Sequence, residues 1–104
     1  MADDVDRLMR ERGLDPTAWG NGPGERYSAH DHAYDKVIAV ERGSIRFGLP
    51  ATEQAIDLIA GDRLDLPAGT THDAIVGPNG VSCLEAHLPV GSLPGVGRRS
   101  SGTW

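Results

Sequence analysis

The chain has 104 residues, with 10 Lys and Arg against 15 Asp and Glu, a net charge of −5. That length suits one domain and makes a second improbable. The acidic balance argues against a nucleic-acid partner, which needs a basic face, and the single cysteine, Cys83, excludes an internal disulfide and a cysteine-rich metal site.

The amino-terminal stretch is charged throughout and has no apolar signal-peptide core. No window is apolar enough to span a membrane. A cytoplasmic location without membrane partners is therefore expected. Asp3 or Asp4 is placed to cap a short helix running to about Arg12, with Val5, Leu8 and Met9 on one stripe. Gly13 is a plausible stop. So short a helix is not stable alone, so its stripe is expected to pack on the body. Leu14 and Trp19 supply further anchors.

GNGPGE at 20–25 reads as a loop, and the stretch from Trp19 to Gly24 as the lip of a pocket or a tight lead-in turn. Residues 27–40 read as extended chain, and 41–44 as a tight connection. Ile45, Phe47 and Leu49 alternate in a second strand that ends at Pro50. Residues 53–59 are ambiguous between strand and helix, and the flanking turns favour strand. Leu64 and Leu66 alternate before the turn PAGT. His72, Ala74 and Val76 then share a strand face, and GPNG at 77–80 predicts a primed hairpin. In the last strand Val81, Cys83, Glu85 and His87 share one face. Cys83 is expected to be a buried thiol. The Gly, Ser and Pro-rich tail from Pro89 is expected to be loosely ordered, with Trp104 as a potential anchor.

Many short strands with Gly and Pro-rich turns favour an all-β barrel or sandwich. The organisation expected is a helix and anchor segment at 1–19, a barrel at 20–88 and a tail at 89–104. For a domain this small, a homodimer is a natural way to cover barrel edges.

Three of the four histidines carry the chemistry. His30 and His32 are two apart on the expected strand, so period two puts both imidazoles on one face. His72 follows the PAG turn and is able to enter the same cavity from another strand. Three nitrogen donors suit one divalent Fe, Mn, Ni, Cu or Zn ion per chain, with positions left open for water or substrate.

The segment GERYSAHDHAYDKVIAVERG resembles the first cupin motif, G-x5-H-x-H-x3,4-E-x6-G, with Gly24, His30, His32 and Gly43 in register. GDRLDLPAGTTHDAIV resembles the second, G-x5-P-x-G-x2-H-x3-N, through Gly61, Pro67, Gly69 and His72. This resemblance implies a double-stranded β-helix, or jelly-roll barrel, in which the three histidines converge on a metal. Two positions depart from the pattern. Val76 replaces the asparagine, and Lys36 replaces the glutamate ligand. An ammonium is repelled by a divalent metal and must swing away, pair with an acid or lose its proton.

Several groups are placed to complete the metal shell instead. Asp35 reaches the metal only if its strand bulges. Glu85 or His87 enters from the last strand, or water fills the position. Lys36 either forms a structural ion pair with Asp35, Glu85 or a surface acid, or sits in the pocket to bind an anionic group or act as a base. Tyr34, at the same parity as His32 and Lys36, either donates a hydrogen bond to a ligand or fills the barrel mouth. Tyr27 is expected to pack near the entrance. Asp31 and Asp73 read as surface residues, and so do Glu53, Asp57, Asp62 and Asp65. The resemblance implies metal-dependent chemistry on a small organic molecule, of dioxygenase or isomerase type, and an inward Lys36 would suit an anionic one. The alternatives are a non-catalytic small-ligand module and a structural domain with a degenerate pocket.

Overall fold

The computed structural model describes residues 4–104. Helix α1 spans Val5–Glu11, and the Asp4 carboxylate accepts from the Arg7 backbone N–H at 3.1 Å, as an N-cap. Asp3, the other expected cap, lies outside the described residues. Val5 and Met9 are buried, Leu8 partly so, and Gly13 follows the helix at φ +75°. Seven strands follow: β1 (Thr17–Asn21), β2 (Arg26–His30), β3 (Asp35–Leu49), β4 (Gln54–Ile59), β5 (Arg63–Leu66), β6 (His72–Leu88) and β7 (Gly97–Arg99).

β3 and β6 are long, antiparallel and paired along most of their length. Their register shifts between Val40 and Arg42 and between Gly43 and Ile45. The two strands bend together there and serve two half-sheets. In one, β1 joins β6 at Val81–Glu85, the first part of β3 lies beside it, and β5 and β7 follow. In the other, β2 joins the start of β6, the second part of β3 lies beside it, and β4 closes the edge. This is a jelly-roll barrel: irregularities let one strand turn from one sheet into the other.

The expected turns at 41–44 and 77–80 are these bends, and no hairpin forms at GPNG. Gly43 and Gly80 both have positive φ, +79° and +78°, and a Cβ on Gly43 would collide with the Gly80 carbonyl oxygen. Glycine is needed where the two backbones touch.

Alternation along the strands gives each side of the first half-sheet its own core. Ile38, Val40, Val81 and Cys83 face the barrel interior with Phe47, Leu58, Leu64 and Leu66. Val37, Ala39, Leu84 and Ala86 face outward and are covered by Val5, Met9, Leu14 and Trp104. Burial of each large apolar side chain contributes roughly 1.5–3 kcal/mol. Cys83 is fully buried, as expected, and burial pushes its thiol up to about 12.

Both ends of the chain depart from the sequence reading. Gly20 and Asn21 belong to β1, not to a loop. A Cβ on Gly20 would stand 2.9 Å from the Val81 carbonyl oxygen, which is why a residue with poor strand propensity occupies the position. The tail adds β7 to β5, and Trp104 is buried with its indole N–H donating to the Gly61 carbonyl at 2.9 Å. The sheet therefore extends beyond the expected 20–88 on both sides. Asp62 and Asp65 are buried rather than superficial. Asp62 accepts from the backbone N–H groups of Ile59 and Ser101 and from the Arg98 guanidinium, and so fixes the tail. Asp65 pairs with Arg63 at 2.7 Å. Asp57 is exposed and pairs with Arg46, and Glu53 and Asp31 are exposed. No helix among the described residues is long and apolar enough to cross a membrane.

Candidate metal centre

His30 ends β2 and His72 begins β6, and the two are directly paired across the ladder. His32 is not on the same strand, because β2 ends at His30. It lies in the segment before β3, where its carbonyl accepts from the Gly69 N–H at 2.9 Å. The PAGT turn thus holds the His32 backbone beside the chain that leads to His72. Ring centroids lie 4.8 Å apart for His30 and His32, 4.5 Å for His30 and His72, and 5.3 Å for His32 and His72.

One nitrogen from each of the three rings lies within 4.8 Å of the others. Two nitrogens each about 2.1 Å from a shared ion are at most roughly 4.2 Å apart, so small ring rotations suffice to seat one. The Nδ1 of His30 is 2.7 Å from the Ser28 carbonyl oxygen, and the Nδ1 of His72 is 2.8 Å from that of Thr70. A carbonyl only accepts, so Nδ1 carries the proton and Nε2 keeps its lone pair, the tautomer that metal-ligating histidines adopt. Burial depresses the His72 pKa. Burial, helped by Lys36, His30 and His72, depresses that of His32. Both rings are therefore neutral at pH 7, as ligation requires. The donor set fits a divalent transition metal.

His30 and His72, but not His32, line a cavity of about 270 Å³ together with Trp19, Asn21, Tyr27, Lys36, Ile38, Phe47 and Glu85. Lys36 points inward and is only 8 % exposed. Its Nζ is 3.1 Å from His32 Nε2 and 3.6 Å from a Glu85 oxygen, so the ion pair and the pocket position coexist. The second Glu85 oxygen lies 2.6 Å from His87 Nε2. Glu85 lines the cavity but is not in the ligand cluster, and His87 is outside both. Asp35 does not approach the histidines. It is buried on the other side of β3, accepting from the Ala68 and Leu93 N–H groups, which hold its carboxyl below the usual range. Tyr34 is stacked between His32 at 5.1 Å and His87 at 4.1 Å, and does not line the cavity.

Trp19, Asn21 and Tyr27 enter the site through β1 and β2, whose pairing with β6 fixes their sides. Trp19 and Tyr27 meet edge to face at 5.9 Å. The Trp19 indole N–H is buried without a hydrogen-bond acceptor. The aromatic character of 19 and 27 was visible in the sequence, but their convergence depends on non-local register.

No family model matches the chain, and no curated protein does. Solved structures do. The chain is similar to a cupin superfamily protein from Desulfitobacterium hafniense, at 24 % identity over 73 % of this chain and 67 % of that one, with a TM-score of 0.61. This is a cupin fold. A vicilin from hazelnut (Corylus avellana) matches at 17 % identity over 82 % of this chain, with a TM-score of 0.64. Bacillus subtilis oxalate decarboxylase, whose structure has Mn(II) centres, matches at 21 % identity over 82 %, with a TM-score of 0.61. The chain spans only 25 % of the vicilin chain and 24 % of the decarboxylase chain. In this barrel His30 and His72 pair within one half-sheet, and His32 joins them from the segment that leads into β3.

Proposed function

We propose that the protein is a small metal-dependent cupin that binds one divalent transition metal through His30, His32 and His72 and acts on a small anionic organic molecule. The observation that carries this reading is the convergence of three imidazole nitrogens within 4.8 Å, two of them, those of His30 and His72, on residues that line a cavity. Such a metal would supply Lewis acidity and, if iron, a route to dioxygen chemistry.

The chain's own residues account for the rest. The Ser28 and Thr70 carbonyls fix the tautomers of His30 and His72. Ile38 and Phe47 give the cavity part of its apolar lining. Lys36 offers a cationic donor to the substrate's anionic group, and Glu85 holds that ammonium in place. A cavity of about 270 Å³ is below the usual size for drug-like ligands, which favours a molecule of few heavy atoms.

Reconstitution with Fe, Mn, Ni, Cu and Zn, followed by oxygen uptake with small enols, thiols and aromatic acids, tests the catalytic half. Uptake with iron that disappears in His72→Ala supports a dioxygenase-like reaction. A second reading, a non-catalytic ligand-binding module, is favoured by the Lys36 contact to His32. Stoichiometric ligand binding without turnover under any of these metals would select it.

A further inference from the structure

The Lys36 ammonium lies 3.1 Å from His32 Nε2. An ammonium has three protons to give and no lone pair, so His32 Nε2 must be the acceptor. A metal at that nitrogen needs the same lone pair. Loading through Nε2 therefore evicts Lys36, and leaves an ammonium beside a divalent ion.

The cavity has little with which to neutralise this. Glu85 is the acid nearest Lys36, at 3.6 Å, and its other oxygen is engaged by His87 at 2.6 Å. A divalent ion among three neutral imidazoles, with Lys36 and Glu85 cancelling, leaves two uncompensated positive charges in a part-buried site. A small carboxylate brings one negative charge and two acceptor oxygens, so it accepts a hydrogen bond from Lys36 and offsets part of that excess.

We propose that the site takes up its metal together with a small carboxylate: Lys36 holds His32 in the metal-free protein, and the carboxylate accepts from Lys36 once the ion has taken His32. The inference rests on the three-histidine metal reading and adds to it the ligand class and a coupling. Metal and carboxylate must then favour each other by the same factor, since binding linkage is reciprocal.

The test is Co2+ binding to the full chain, in competition with a chromogenic chelator that reports free Co2+. Acetate is compared with chloride at fixed pH and ionic strength. Acetate is expected to tighten Co2+ binding to wild type by about tenfold, within the usual range of coupling between sites. Lys36→Met should bind Co2+ more tightly than wild type in chloride, and acetate should improve it less than twofold.

Equal Co2+ affinities for wild type and Lys36→Met in chloride would overturn the proposal, because His32 would then ligate through Nδ1 with Lys36 undisturbed. Equal acetate effects in the two proteins would overturn it as well. In both cases one Co2+ per chain would leave the metal reading standing. Absence of Co2+ binding in both proteins would instead reject the metal reading, and this inference with it.

Discussion

Replacing Trp104 by Ala tests whether the carboxyl-terminal tail is part of the barrel. The ring is 7 % exposed, packs in the outer core with Val5 and Met9, donates its N–H to the Gly61 carbonyl, and lies 5.4 Å from the Arg63 guanidinium. Truncating a buried Trp to Ala costs roughly 3–5 kcal/mol through lost burial and the cavity left behind. The lost hydrogen bond and cation–π contact argue for about 4 kcal/mol. Since domains of this size are stable by about 5–15 kcal/mol, the variant should still fold, with its melting temperature lowered by roughly 16–32 °C. Urea unfolding followed by far-ultraviolet circular dichroism is the suitable assay, because it does not depend on the indole that is removed. Trp104→Phe keeps most of the apolar contact and loses the N–H donor, so it should cost only about 1–2 kcal/mol. A loss below about 1 kcal/mol for Trp104→Ala would refute the reasoning and return the tail to an appendage.

Other consequences follow from named groups. His32 and His72 have depressed pKa values in the folded chain. The unfolded chain therefore binds more protons as pH falls below the ordinary value near 6.5, and stability must drop there. Urea midpoints at pH 7.5 and 5.5 check this, and an unchanged midpoint would contradict it. Asp35, whose pKa is also depressed, stays ionised across that window. Gly43→Ala should cost more than about 2 kcal/mol, because a positive φ is combined with a collision against Gly80. Gly24→Ala, with a similar φ but open space around it, should cost about 1 kcal/mol by the same urea assay. Burial and a thiol pushed up to about 12 should make native Cys83 inert to thiol reagents. Modification of the folded protein at the rate of an exposed thiol would count against its placement in the core.

What the sequence disclosed and what it concealed divide along local and non-local lines. The turn glycines and prolines around the histidines are local, so GERYSAHDH and PAGTTH were readable as two motifs, and their resemblance to the cupin pattern, not their spacing, implied that they meet. The α1 stripe was readable for the same reason. The assignment of His32 to a strand failed because the Gly69 N–H, 37 positions away in the chain, ends the ladder at His30. GPNG looked like a hairpin because positive-φ glycines serve bends inside long strands as well as turns between short ones. Only the pairing of Gly43 with Val81 distinguishes the two. Asp62 looked like a surface acid because its partners Arg98 and Ser101 lie in a tail whose composition suggested looseness. Lys36 stood out in the sequence as a departure from the motif, but its two simultaneous contacts required coordinates.

The central claim is that His30, His32 and His72 form one metal site. Elemental analysis by mass spectrometry on untagged protein, comparing wild type with His30→Ala and His72→Ala after loading with Fe, Mn, Ni, Cu or Zn, tests it most directly. The account predicts about one metal per chain in wild type and loss of that metal in both variants. Wild-type protein that retains none of these metals, or variants that retain a full equivalent, would contradict it.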